Sequence, residues 1–295
     1  MNSSIRIKKL TGERIFGIFN IFFMLVLIVL TLYPLWYVFV ASFSNPVDVA
    51  RGLVIFKPSG FELSSYKKVS ETPNLWTSYG NTIFYSTVGT LVNMILTVLC
   101  AYPLSKRRLM GRRFIMIFIL ITMWFGAGMI PTLLNFRNLG LTDTRLGIIL
   151  CFAISTYYVI LMRTFFESIP PEMEESAKMD GANDFRILLS IYLPLSVPAL
   201  ATLTMYYFVG RWNSYFWSML LVKDQAKVPL QVLLRRLIVE VQYSVGESQD
   251  MSMLEISEQT VVYATIVLSV IPMLSLYPFI QRFFVKGIMV GAIKG

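Results

Sequence analysis

The chain reads as an all-α polytopic membrane protein with six transmembrane helices, and three observations predict that class. Of its 295 residues, 56% are hydrophobic and 14% aromatic, with a mean hydropathy of +0.64, which is too apolar for a soluble domain covered in charge. Its apolar residues fall in uncharged runs long enough for a bilayer, which about 20 helical residues span. Lysine and arginine cluster between those runs rather than within them.

Each element follows in chain order. Residues 1–14 carry Arg6, Lys8, Lys9 and Arg14 and read as a cytoplasmic tail. The first run, Ile15 to Val47, far exceeds the roughly 7–15 apolar residues of a signal peptide, and "FVASFSNP" is a poor cleavage site, so it stays as an anchor. Residues 42–78 form a first outer loop with turn signals "KPSG" and "TPN", too short for a separate domain. Thr72 to Ser105 is the second run, and "SKRRLMGRR" follows it. In so short a basic loop the positive-inside rule is strongest, so both termini are placed in the cytoplasm. Phe114 to Phe136 and Leu146 to Met162 are the third and fourth runs, and residues 167–195 form a second cytoplasmic loop. The fifth run extends from Val197 to Gly210, with an apolar continuation beyond Arg211. Residues 223–258 form a long outer loop containing the amphipathic "VPLQVLLRRLIVEV", Gln259 to Gln281 is the sixth run, and residues 282–295 are a cytoplasmic tail. With no internal repeat, low-complexity tract or linker, residues 1–295 make a single transmembrane domain.

Several function classes drop out. The net charge of +9 belongs to membrane topology and contact with anionic lipid, and no soluble basic domain exists to bind nucleic acid. The chain has no histidine, the commonest general base and metal ligand. Cys100 and Cys151 lie in separate apolar runs without metal or redox spacing, as buried unpaired thiols. No phosphate loop, nucleophile elbow or HExxH motif occurs, so catalytic and metal residues are expected to be none, and any ATP must be bound by another chain.

The cytoplasmic loop holds "PPEMEESAKMDGANDFRILLSIYLPLSVP". Pro170 and Pro171 suit a helix start, and Glu172, Glu174 and Glu175 sit where the helix dipole favours negative charge. Glu174 and Lys178 are spaced i,i+4. Gly181 is placed to end this helix in a left-handed conformation, and Asn183 or Asp184 to begin another. Pro194 and Pro198 then kink or restart the chain into the fifth run. Acids outnumber bases here, on the side where loops are usually basic. A solvated amphipathic hairpin explains this; so does a docking element, in which small Ser176 and Ala177 permit close approach and Glu175 meets basic groups on a partner.

The fifth run continues through "MYYFVGRWNSYFW". Aromatic residues there serve packing or an interfacial belt, but Tyr206, Tyr207, Trp212, Asn213 and Tyr215 are also candidates to line a wet cavity, offering ring faces and polar atoms to a solute. Arg211 carries a charge at a depth where it must face a cavity, hold a gate or snorkel to the outer interface.

"EESAKMDGA" followed by "IYLPLSVP" resembles the E-A-A…G…I-x-L-P signature of permease subunits of bacterial ABC importers, with E-A-A at Glu175, Ser176 and Ala177 and the glycine at Gly181. Ser176 replaces the usual alanine. The tail "QRFFVKGIMVGAIKG", "WNSYFW" and "CAYPLSK" resemble the carbohydrate class, its maltose-permease-like and oligosaccharide members. The resemblance implies a type I importer permease fold and no enzymatic activity in this chain. It also implies that residues Glu174, Glu175, Ser176, Ala177, Asp180, Gly181 and Ala182 couple to ATPase subunits. The implied partners are a second, paralogous permease chain, two ATP-binding-cassette ATPase subunits that hold ATP and Mg, an extracytoplasmic sugar-binding protein, and the lipid bilayer of the bacterial cytoplasmic membrane. The implied cargo is an oligosaccharide; the alternatives are a modified sugar or polyol phosphate, an ion-coupled secondary transporter, or a scaffold or sensor. The same resemblance implies that the 223–258 loop probes the binding protein, against the reading of a lip packed on the membrane surface, and that the tail reaches between the ATPases.

Overall fold

The two longest helices arise from the two longest uncharged runs. In a computed structural model, which describes residues 11–247 and 259–275, these are α1 (Thr11–Ser42) and α4 (Leu75–Ser105), with α2 (Pro46–Ala50) and α3 (Ser64–Glu71) between them. No strand occurs among the described residues. Two compact units are formed, one by residues 11–69, 240–247 and 259–268, the other by residues 70–239 and 269–275.

In the first unit, α1 presents Phe19, Phe22, Ile28 and Leu30 outward, an apolar surface stable only in lipid or against a partner. Its last turn buries Val40 and Ala41 with Val49, Val54, Tyr37 and Tyr263. The segment that follows α1 is ordered by polar side chains. Asn45 Oδ1 accepts from the Val47 N–H at 2.9 Å, capping α2, while its Nδ2 donates to Glu62 at 2.9 Å. Ser59 Oγ donates to Asp48 at 2.6 Å, so the turn chemistry read from "KPSG" produces a tied loop.

In the second unit, α4 is the central rod. Thr82, Ser86, Gly89, Thr90, Asn93, Thr97 and Ala101 lie buried along it. Small and polar residues at near-helical spacing let neighbouring membrane helices approach closely. Around α4 stand α5 (Arg112–Trp124), α6 (Met129–Asn138), α7 (Arg145–Leu150), α8 (Thr156–Glu167), α9 (Pro171–Met179) and α10 (Asp184–Ile187). A π-helical turn (Leu188–Tyr192), α11 (Leu193–Leu195), α12 (Val197–Trp212), α13 (Phe216–Leu221), a 3₁₀ turn (Gln225–Lys227) and α14 (Leu230–Glu247) follow. Helices α7, α8 and α12 pack on α4. The last described helix, α15, is Gln259–Ser275.

Two runs expected as single helices are broken. Phe114–Phe136 becomes α5 and α6, bent by 113° across Phe125–Gly128, with Gly128 at φ +82. Leu146–Met162 becomes α7 and α8, interrupted at residues 151–155 where Phe152 takes φ +51. Hydropathy registers apolar length and does not register a backbone reversal. At the fifth run, Asp184–Leu195 and Val197–Trp212 meet at 83°, as Pro194 and Pro198 predict. Among the described residues, two helices are long and apolar enough to cross a membrane, or up to four with each bent pair taken as one span. "WNSYFW" also departs from the reading of a continuous crossing: α12 ends at Trp212 and α13 starts at Phe216.

Candidate functional site

The 167–195 loop folds as its local chemistry dictates. Pro171 opens α9, and Gly181 at φ +78 closes it. The Gly181 N–H donates to the Lys178 carbonyl at 3.0 Å and the Ala182 N–H to Ala177 at 2.9 Å, the paired bonds of a Schellman terminus. Asn183 Oδ1 accepts from the Arg186 N–H at 2.8 Å and caps α10. Glu175, Ser176, Asp180 and Gly181 are exposed, and Ala177 and Ala182 pack against the core beneath. Met179, 88% exposed, and Phe185, 63% exposed, stand beside them. These exposed apolar side chains lie outside the acidic pattern of the loop.

Glu174 differs from its neighbour. Its side chain turns inward, where Oε2 meets Lys106 Nζ at 2.5 Å and accepts from Tyr192 Oη at 2.9 Å, while Oε1 pairs with Lys178. The Lys106 ammonium, itself buried, lies 4.2 Å from the Tyr102 ring centroid and 3.5 Å from that of Tyr192, a box of two aromatic faces and a carboxylate. Burial alone would raise the Glu174 pKa, but hydrogen bonds from Lys106, Lys178 and Tyr192 outweigh it and hold the carboxyl at about 2. Burial pushes Lys106 below the usual lysine range, opposed by its bond to Glu174. Arg108 pairs with Asp184, and Arg112 and Arg163 share Glu167. A cleft of about 630 Å³ runs between these groups, lined by Lys106, Arg107, Arg112, Glu174, Glu175 and Lys178 among others. The coupling group predicted from sequence is therefore divided, with Glu175, Ser176, Asp180 and Gly181 outward and Glu174 clamped to the end of α4.

A second site forms where α7 breaks. Arg211, in the last turn of α12, donates through Nη1 to the Ile148 carbonyl at 2.7 Å and through Nη2 to Ile149 at 2.8 Å and to Asn93 Oδ1 at 2.7 Å. It caps the C-terminal carbonyls of α7, where a cation is favoured. Gly89 makes room, since a Cβ there would meet Arg211 Nε at 3.0 Å. These bonds hold the guanidinium inside the helix packing, which corrects the snorkelling alternative. A cavity of about 220 Å³ opens beside it, lined by Asn93, Cys151, Phe152, Tyr158, Tyr206, Tyr207, Gly210, Arg211 and Ser214. Tyr158 stacks on Tyr206 at 5.9 Å and meets Tyr207 edge-on at 4.7 Å. The Tyr207 hydroxyl shares a 2.7 Å bond with Thr97 and accepts from the Ser155 N–H at 3.2 Å.

Of the residues expected around a pathway, Tyr206, Tyr207 and Arg211 meet in this cavity. Trp212 does not: it is 2% exposed and donates to the Ser269 carbonyl at 3.1 Å. Asn213 bonds back to the Val209 carbonyl at 3.0 Å, and Tyr215 packs against Phe216. One run of residues alternates faces around the helix, so the six cannot all point one way. Sequence reading missed Asn93 and Tyr158. The signal for Asn93 was the polar spacing of Thr82, Ser86, Thr90 and Asn93 along an apolar run.

At the opposite end of α4, Asn81 Nδ2 donates to the Ala226 carbonyl at 2.8 Å, Tyr85 Oη to Lys227 at 2.8 Å, and the Leu230 N–H to Thr82 Oγ1 at 2.7 Å. The start of the 223–258 loop is thus tied to the membrane helices; residues 248–258 and the 282–295 tail lie outside the described residues.

The profile of the family described as "Binding-protein-dependent transport system inner membrane component" matches residues 93–290. The chain belongs to this family. It is 38% identical over 282 residues to Protein LplC of Bacillus subtilis (strain 168), covering 96% of each chain. It is 40% identical over 287 residues to the polygalacturonan/rhamnogalacturonan transport system permease protein YtcP of the same organism, covering 96% of this chain and 99% of that one. A solved chain from a bacterial ABC transporter involved in the import of the acidic polysaccharide alginate superposes with a TM-score of 0.86 at 43% identity, covering 94% and 99% of the two chains. These relatives are transport permease subunits rather than enzymes, and family membership gives this chain the type I permease fold and an inner-membrane component's role. Among the described residues, no cluster of His, Cys, Asp or Glu is arranged to hold a metal ion.

Proposed function

We propose that this permease carries an oligosaccharide across the bacterial cytoplasmic membrane, receiving it from an external sugar-binding protein and working beside a second, paralogous permease chain. The observation that carries the coupling part is the exposed turn at Glu175, Ser176 and Gly181, backed by a rigid helix whose Glu174 is locked to α4. A docking element has to be both accessible and stiff, and this loop is both. Two cytoplasmic ATPase subunits, holding ATP and Mg, seat α9, and their closure moves α9 and α4 together. The six uncharged runs supply six crossings with both termini inside, two of them formed by broken helices, and residues 1–295 act as one transport domain.

The oligosaccharide part is supported by the polygalacturonan/rhamnogalacturonan and alginate systems of the relatives at 40% and 43% identity. A polyol phosphate is the second reading, favoured by 28% identity to the sn-glycerol-3-phosphate permease protein UgpE of Brucella abortus (strain 2308). The test is uptake by the reconstituted importer. ATP-dependent accumulation of an oligosaccharide, lost in Glu175→Lys and Gly181→Asp variants that still insert and express, is expected. Normal uptake by both variants would overturn the docking role, and uptake of glycerol phosphate alone would overturn the sugar reading.

A further inference from the structure

We infer that the cavity beside Arg211 is a subsite for one carboxylate-bearing sugar ring, so that the permease itself selects acidic oligosaccharides; this rests on the oligosaccharide reading above. Three observations carry it. The Arg211 guanidinium is oriented entirely by neutral oxygens, those of Ile148, Ile149 and Asn93, and no carboxylate among the described residues lies within ion-pair distance of it. Neutral acceptors fix direction without cancelling charge. The end of α7 offsets part of it, since a helix terminus supplies about half an elementary charge at most, and α7 has only 6 residues. A net positive charge amid apolar helices is costly unless an anion or water meets it.

Second, the three bonds occupy three of the guanidinium's five N–H groups, and Arg211 also lines the open cavity. One Nη1 hydrogen and the charge remain for a ligand, the Nε side being packed against Gly89, so a carboxylate can join the assembly without dismantling the cap on α7. Third, the cavity's other wall suits a sugar. Tyr158 and Tyr206, stacked 17° from parallel, offer ring faces to pyranose C–H groups, and Ser214 and Asn93 offer polar atoms to hydroxyls. At about 220 Å³ the space is below the roughly 300–1,000 Å³ of drug-sized pockets, which fits a chain passing one ring at a time.

The experiment compares trigalacturonate with its fully methyl-esterified form, which has the same rings and no charge. Binding to the purified importer without its binding protein is read by equilibrium dialysis, and uptake in proteoliposomes by accumulation. The acid is expected to bind roughly tenfold or more tighter than the ester, with the preference falling as salt rises. Arg211→Gln should reduce the ratio to near one, while Arg211→Lys, which keeps charge and loses the fork, should retain part of it. If neither variant assembles, the parent decides: equal binding of acid and ester overturns the subsite. Equal loss of acid and ester binding in an assembled Arg211→Gln importer also overturns it, leaving Arg211 as a cap for α7. Binding of neither sugar alongside tight binding of glycerol phosphate would overturn the oligosaccharide reading instead.

Discussion

Replacing Glu174 with Gln keeps the size and shape of a side chain whose charge holds α9 to the end of α4. The carboxyl sits at about 2 in place of 4.5, and at about 1.36 kcal/mol per pK unit the folded loop favours the ionised form by about 3 kcal/mol. Removing one partner of a buried ion pair costs about 3–5 kcal/mol, because the other charge is left unpaired. Both routes give the same order for Glu174→Gln, which strands Lys106 between two tyrosine rings. Lys106→Met should cost a similar amount, and the double variant far less than the sum, since it strands nothing. The readout is trypsin cleavage at Arg186 in detergent micelles, whose rate follows the open population when reclosing is fast. A cost of about 3 kcal/mol is roughly a hundredfold in that rate. The depressed pKa also fixes the acid response. Stability from the ionised carboxylate is complete above pH 4.5 and disappears as pH falls toward 2, so hydrogen-exchange protection of the loop, read in place of trypsin at acid pH, should stay flat from neutral pH down to that point and then fall. Additive single variants, or a Glu174→Gln loop as resistant as the parent, would refute the clamp.

Other perturbations separate docking from folding. Glu175→Gln, at an exposed position one residue from the clamp, should leave trypsin resistance unchanged while lowering ATPase association in a pull-down. At Gly181 an added Cβ meets nothing within 4 Å, so within this chain only φ +78 opposes substitution; Gly181→Asp, tolerant of that φ, should keep the loop resistant to trypsin while losing uptake at the docking turn, whereas Gly181→Val should lose trypsin resistance as well, with a strain of about 1–2 kcal/mol. Gly89→Leu, forced against Arg211 Nε, should reduce transport without changing ATPase association, and normal uptake would show that the guanidinium has room to move. Deleting Gly287 to Gly295 should lower uptake per ATP hydrolysed more than it lowers expression, and full coupling would leave that tail without a role.

The caps of the 167–195 loop were legible because they are local. Pro171, Gly181 and Asn183 act within a few residues of themselves, so spacing alone predicts where α9 and α10 start and stop. Helical class and membrane residence likewise follow from apolar run length. The division of labour between Glu174 and Glu175 does not. Adjacent residues on a helix point about 100° apart, and which of them faces inward depends on Lys106, 68 positions earlier. The role of Arg211 is equally remote, set by Asn93 and by carbonyls of Ile148 and Ile149, which are 118, 63 and 62 positions away. Those carbonyls are available only because α7 stops at Leu150 inside an unbroken apolar run. The run's composition determines that it is apolar and helical; tertiary packing against α4 decides that its backbone breaks there, because only then do the freed carbonyls find the arginine that satisfies them.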